Sequence, residues 1–318
     1  MPGSERTLSL TAPDGLEPLR LDLFLAQRIA GCSRRRAQHA IATNGVRING
    51  RRARKGQQVA AGDVVQVPDS LWTPYALVPN PTLRLVILYE DDAVIAVDKP
   101  PGIASHALRS EQTATVANFL LGRYPELAAV GKTPFEAGAV HRLDTDTSGV
   151  LMIARTSKAY NALRQQFARH QVLKEYLAIV HGDVREPGEM RTPIAHHRNQ
   201  RMMRVAASSK RARPALTCYR PLDRTGKYTL LEVTIRTGVM HQIRVHLASI
   251  GHPVVGDRLY GKQGDTVPRQ LLHAHRLAVR HPQTEITLSI TSPIPADFSA
   301  FGLKQRRDGK PKGRSNAK

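Results

Sequence analysis

Cysteine is almost missing from this 318-residue chain: Cys32 and Cys218 are the two present, 186 positions apart. That spacing forms neither a metal-binding motif nor a disulfide framework, and it points to a reducing, cytoplasmic setting. No apolar run approaches the roughly 18 residues a membrane span needs. Residues 1–18 mix acids with proline and lack an apolar segment, which does not read as a secretory signal. Aromatic residues make up only 5% of the chain, so the core must rest on Val, Leu, Ile and Ala. Acids are also scarce, with 26 Asp and Glu against 47 Lys and Arg, for a formal net charge of +21. Such an excess marks a polyanion partner, because neutralising phosphates releases counterions and gives affinity without sequence preference.

The charge is clustered. Residues 190–222 carry eight Lys/Arg and no acid, and residues 302–318 carry seven against one. Residues 71–189 are nearly neutral, with twelve basic and thirteen acidic residues. A generically basic composition would not leave a neutral block in the middle, so the clusters read as a binding surface. Hydrophobic residues, at 41%, suffice for an ordinary core, and the length suggests two domains.

The first unit spans 19–69. Leu21, Leu23, Phe24, Leu25 and Ile29 outline a short amphipathic helix ending near Gly31. Ser33 is placed to cap a second helix carrying Arg34, Arg35 and Arg36, and Gly45 sits where a helix-terminating glycine belongs. Val46-Arg47-Ile48 then reads as a strand, and Asn49-Gly50 is a strong hairpin signal. Arg34 to Arg36 could simply be a solvated helix face. Arg47, Arg51, Arg52, Arg54 and Lys55 follow without an acid among them, however, which favours nucleic-acid contact. The series Leu21-Asp22-Leu23-Phe24-Leu25-Ala26, Ser33-Arg34, Gly45-Val46-Arg47-Ile48-Asn49-Gly50 and Gly62-Asp63-Val64-Val65 resembles the ribosomal protein S4-like RNA-binding domain. The resemblance implies two helices and a small sheet that grip structured RNA, and the charge pattern offers Arg34, Arg35, Arg36, Arg47 and Lys55 for that contact.

Residues 70–84 read as a proline-stiffened linker, with Trp72 more apt to pack on a domain surface than to stack on a base. From 85 to 301, apolar runs at Leu85–Tyr89, Val94–Val97, Val150–Ala154, Tyr176–Val180, Leu216–Tyr219, Leu230–Ile235, Leu271–Val279 and Ile286–Ile290 read as strands. Val116–Leu121 and residues 157–170 read as helices. The whole is an α+β chain: a small domain, then a mixed, largely antiparallel sheet. The tail, 302–318, has the composition of a basic disordered segment.

Chemistry concentrates in three places. Val140-His141-Arg142-Leu143-Asp144-Thr145-Asp146-Thr147-Ser148-Gly149 is a polar loop feeding a buried strand. Its Asp144, with Arg142 and His141 beside it to favour the ionised form, could serve as base, nucleophile or ligand, or could be a salt-bridged loop carboxylate. A metal site of His141, Asp144 and Asp146 lacks a further ligand, and Asp146 is more simply a turn residue. Gly238-Val239-Met240-His241-Gln242-Ile243-Arg244-Val245-His246 reads as a helix presenting His241, Gln242 and Arg244 as a clamp for an anion, or as a solvated polar face. Tyr176, in Lys174-Glu175-Tyr176-Leu177-Ala178, could stack on a flat ring or be plain core.

His141-Arg142-Leu143-Asp144 with Thr147-Ser148-Gly149, Lys174 to Ala178, His241 to His246 and Gly256-Asp257-Arg258-Leu259-Tyr260-Gly261 resemble the RluA family of RNA pseudouridine synthases. Leu272-His273-Ala274 and Pro293-Ile294-Pro295-Ala296-Asp297-Phe298 extend the resemblance to about residue 298. It implies isomerisation of uridine to pseudouridine in structured RNA, large-subunit ribosomal RNA above transfer RNA, with no cofactor and no metal. It implies that Asp144 is the catalytic aspartate, that Arg244 pairs with it, that Tyr176 stacks on the uracil, and that Arg142 enters the RNA stack when the base leaves. The sequence departs from the family where Gly-Arg-Thr usually precedes the His-Gln-Ile-Arg motif, since Val239-Met240 stand there. Two rivals remain: a non-catalytic RNA-binding factor, opposed by the intact Asp144, Tyr176 and Arg244, and a metal-dependent nuclease, opposed by its short ligand set.

Overall fold

The computed structural model describes residues 7–43, 45–71, 77–107, 112–133, 135–197 and 202–303. The chain divides into two compact units, 1–76 and 77–318.

In the first unit, helices Leu21–Arg28 and Arg34–Ala42 pack against each other. A four-stranded sheet runs Thr7–Thr11, Val64–Pro68, Arg47–Ile48, Arg51–Arg52. Ser33 caps the second helix as its sequence position suggests, its hydroxyl accepting from Arg36 N at 3.2 Å. Asn49 and Gly50 both have positive φ, 50° and 76°, the backbone a two-residue hairpin requires. Phe24, Leu25, Ile41, Val46, Val59 and Val65 form a core of the unit's own. Gly45 does not end its helix in a left-handed turn, as the sequence suggested. Its missing side chain instead admits Pro68, whose Cγ would lie 3.0 Å from a Cβ there. The strand Thr7–Thr11 went unread because its short polar-apolar alternation buries no residue fully.

The stretch read as a linker is packed at both ends. Leu71 closes the first core, while Leu77 belongs to the second. Asn118 donates from Nδ2 to Val78 O at 2.7 Å and accepts at its carbonyl from Asn80 N at 2.9 Å. Trp72 lies outside the described residues.

The second unit is built on a nine-stranded sheet. Its order is Gly188–Met190, Thr217–Arg224, Tyr228–Ile235, Leu173–His181, Leu272–Arg280, Ser148–Ala154, Val94–Lys99, Val86–Glu90, with Thr287–Thr291 also on Leu272–Arg280. The sheet is mixed and largely antiparallel, with one parallel pairing, between Leu272–Arg280 and Ser148–Ala154. That join decides where the polar loop lands, because it sets Ser148 opposite His273 and Gly149 opposite Ala274. All seven residues of Ser148–Ala154 are buried. Helices Val116–Arg123, Ser157–Ala168 and Gln242–Ser249 accompany the sheet. The first is closed by a Thr115/Asn118 capping box. A small hairpin, Ile194–His196 with Met203–Val205, stands apart from the sheet in the acid-free segment, where no apolar run announced it. Residues 304–318 of the expected tail lie outside the described residues, whereas Leu303 is buried with Phe298. Among the described residues no helix is long and apolar enough to cross a membrane.

Candidate active site

The loop before Ser148 is held from many sides. The Ser105 hydroxyl accepts from Leu143 N at 2.9 Å and donates to Leu143 O at 3.0 Å. Lys99 is fully buried and donates its ammonium to Pro100 O, Ile103 O and Thr145 O, at 2.9, 2.7 and 2.8 Å. Burial pushes its pKa down to about 7, against the opposing charges of Asp146 and Asp144. Arg269 donates to Asp146 O at 3.3 Å and forks onto Asp297 at 2.7 and 2.9 Å. Gln270 reaches Thr147 Oγ1 at 2.9 Å, and the Ser148 hydroxyl meets His273 Nδ1 at 2.9 Å. Thr147 N closes a turn onto Asp144 O at 3.1 Å.

Within this brace Asp144 is partly open to solvent, its side chain 21% exposed, and accepts at Oδ2 from Arg244 Nη1 at 2.8 Å. Arg244 is itself buried. Its Nε and Nη2 fork onto Asp257 at 2.7 Å each. The two carboxylates together hold its pKa above the ordinary arginine value, although burial opposes them. Asp257 has no exposed side-chain surface, and its Oδ1 also accepts from Leu259 N and Tyr260 N. Asp257 therefore fixes the guanidinium, and the guanidinium fixes Asp144, a chain of charge-assisted bonds with little freedom.

A cavity of about 590 Å³ opens beside Asp144, lined by Arg142, Lys174, Tyr176, Ile235, Gly238, His241 and Arg244 among others. Tyr176 reaches it from the strand Leu173–His181. There the neighbouring strand bulges, so that Tyr176 falls between the pairs Glu175↔Arg276 and Leu177↔His273. Burial, aided by the Asp144 charge, raises the Tyr176 pKa, so the phenol keeps its proton. Lys174, two positions earlier on the same face, donates to Thr237 O at 2.8 Å, and burial lowers its pKa to about 8. Arg142 is exposed at the rim.

Three expectations change. His141 does not supply positive charge to Asp144: its Nε2 accepts from Met152 N at 2.9 Å, its ring stacks on Phe167, and burial lowers its pKa to about 3. The same bond removes His141 from any ligand set with Asp144 and Asp146. Gln242 presents no clamp, because its amide is spent on Thr237, Val239, Leu216 and Thr217. Arg36, expected on an RNA-facing surface, is buried and donates to Gly31 O. Arg34 is exposed but pairs with the buried Asp22 at 2.7 Å. Arg35, Arg47 and Lys55 are exposed. Sequence reasoning missed the bracing roles of Lys99, Asp257 and Tyr260; the Gly256–Gly261 motif signalled the last two without revealing what they hold. Val239, at the family departure, is buried with Ile194, Met203 and Val245, so an apolar contact to the small hairpin stands where a guanidinium was expected.

A fixed carboxylate beside a cavity of about 590 Å³, with a buried phenol in its wall and an arginine at its rim, on a basic chain, is a site suited to chemistry on a nucleic-acid base. The chain belongs to the RNA pseudouridylate synthase family, whose profile matches residues 93–249, and an S4 domain profile matches residues 19–65. It is 38% identical over 308 residues to the ribosomal large subunit pseudouridine synthase D of Nitrosomonas europaea, covering 94% of this chain and 88% of that one. The protein of the same name from Xylella fastidiosa is 38% identical over 315 residues, covering 94% and 92%. Among solved structures, human RNA pseudouridylate synthase domain containing 1 superposes with a TM-score of 0.55 at 26% identity, covering 68% of this chain and 85% of that one.

Proposed function

We propose that this RNA pseudouridine synthase modifies specific uridines of large-subunit ribosomal RNA in the cytoplasm, with Asp144 as the catalytic carboxylate. The observation that carries the site assignment is the Arg244 bridge: one buried guanidinium joins Asp144 to Asp257 at 2.7–2.8 Å and leaves the Asp144 carboxylate facing the cavity. The target base cannot be reached inside a helix, so it must be extruded, and a flat pocket must hold it. Tyr176 supplies the stacking face. Arg142, exposed at the rim, takes the place the base vacates in the RNA stack.

Asp144 acts at the ribose to permit cleavage of the C1′–N1 bond. The freed uracil turns in the cavity and the C1′–C5 bond forms; the proton lost from C5 balances the one gained at N1. Atoms are conserved and no electrons are exchanged, so the isomerisation requires no redox cofactor. Arg35, Arg47 and Lys55, with Arg34 at their edge, offer the first unit's phosphate contacts. The ribosomal assignment is supported by the relatives from Nitrosomonas europaea and Xylella fastidiosa, both ribosomal large subunit pseudouridine synthases. Pseudouridine-specific chemical mapping of RNA from cells with and without the gene tests it. Loss of one or a few sites in large-subunit RNA is expected; loss confined to transfer RNA would replace the assignment.

A further inference from the structure

His241 is a further polar group beside Asp144, and its placement is unusual. It sits at the N-cap of the helix Gln242–Ser249 in a left-handed conformation, φ 55° and ψ 18°. Few non-glycine residues adopt that region without a constraint. The ring lines the cavity, makes an edge-on contact with Tyr260, and presents Nε2 3.9 Å from Asp144 Oδ2.

Which ring nitrogen carries the proton follows from Tyr260. The Tyr260 oxygen accepts from Met203 N at 2.7 Å and lies 2.9 Å from His241 Nδ1. Among the described residues Nδ1 is the one acceptor within reach of the phenol's single proton, so that proton goes to Nδ1. The neutral imidazole then carries its own proton on Nε2, the nitrogen that faces Asp144. Burial and the Arg244 charge favour this neutral form, against the Asp144 charge.

A carboxylate acceptor thus stands 3.9 Å from an N–H donor, too far apart to bond each other. One oxygen placed about 2.8 Å from both would subtend an angle of roughly 90° between them, close to hydroxyl geometry. A hydroxyl both donates and accepts, so it satisfies both partners at once; a carbonyl or a C–H satisfies one or neither. The nucleotide hydroxyl next to the scissile C1′ is the 2′-hydroxyl, the group that separates RNA from DNA. We propose that His241 and Asp144 together read the 2′-hydroxyl of the target nucleotide, with Tyr260 as the positioning residue that sets the imidazole. This rests on the assignment of Asp144 as the carboxylate acting at the ribose. Asp257 anchors both halves of the reader, since it clamps Arg244, which holds Asp144, and accepts from Tyr260 N, whose side chain sets His241.

The test uses the full-length protein and two synthetic copies of the mapped RNA fragment, one with uridine and one with 2′-deoxyuridine at the modified position. Equilibrium competition gives the affinity ratio between them, read for an active enzyme after full conversion of the uridine copy, whose pseudouridine keeps the 2′-hydroxyl. For the wild type the uridine copy is expected to bind about tenfold tighter, the scale of a hydrogen bond to a charged group. His241→Phe and His241→Asn, the second chosen because asparagine tolerates the left-handed region, should lower the ratio severalfold, leaving the share that Asp144 contributes. Their affinity for the deoxy copy should stay within twofold of wild type. Tyr260→Phe should lower the ratio part way with the deoxy affinity again unchanged, which a merely structural role would not do. Melting curves identify a variant that has not folded. A wild-type ratio near one, a ratio unaltered in both His241 variants, or equal weakening on both RNAs would overturn the proposal. Turnover of the uridine copy by Asp144→Asn is read in parallel: continued pseudouridine formation there would overturn the Asp144 assignment itself, whatever the ratios show.

Discussion

Arg244 holds two carboxylates at once, and its removal acts on both. Arg244→Ala would strip Asp144 of its partner and leave Asp257 buried without a cation. Breaking a buried pair on one side costs about 3–5 kcal/mol, so a clear fall in melting temperature should accompany the loss of turnover. Affinity for RNA should stay close to wild type, because Arg244 is only 4% exposed and its guanidinium is occupied by Asp144 and Asp257. A filter-binding constant that collapses with turnover would make Arg244 a phosphate contact instead. That Asp144, Tyr176 and Arg244 come together at one cavity was legible in the sequence because each sits in a short, uncommon motif. Their bracing was not. Nothing in the order of residues says that Asp257 meets Arg244, or that His141, adjacent in sequence to the loop's charges, turns inward to a backbone amide.

At the scale of elements, the loop 143–148 is held at every position: Ser105, Arg244, Lys99, Arg269, Gln270 and His273 grip its six successive residues from Leu143 to Ser148. Those six come from distant parts of the chain, and so a reading by local pattern saw the loop and the strand after it but not what immobilises them. The strands themselves were legible wherever an apolar run marked them: five of the eight run two to four residues longer than read, and the other three are displaced by one residue toward the C-terminus. Short strands in the acid-free segment were not, since there the pairing is set by the surrounding fold and not by local hydrophobicity. Gly149 is the pivot between loop and strand. Its φ is 113°, and a Cβ there would lie 2.2 Å from Ala274 O, in the one parallel join of the sheet. Gly149→Ala should therefore cost at least ~1–3 kcal/mol from backbone strain alone, with a further loss as the strands part. A urea midpoint equal to wild type would show that the join tolerates a side chain.

At the scale of the molecule, two units each have a core, and the candidate site lies wholly within the second. The first brings exposed Arg35, Arg47 and Lys55 but no group the proposed reaction uses. Deleting residues 1–76 should leave the second unit folded and weaken binding to structured ribosomal RNA. Each lost phosphate contact should flatten the log–log salt dependence by about one unit; identical affinities and slopes would mean that the first unit does not touch RNA. The division into two units was legible from the S4-like motifs and the charge map, while the packing of Leu71 and Leu77, each into the core of its own unit, was not, because proline content read as a stiffened linker. The central claim, that the carboxylate of Asp144 drives the isomerisation, has one direct measurement: pseudouridine formed on the target RNA by pure Asp144→Asn with enzyme in excess. The variant is expected to fold, to bind the RNA as wild type does, and to form no pseudouridine; product accumulating beyond a trace would contradict the account.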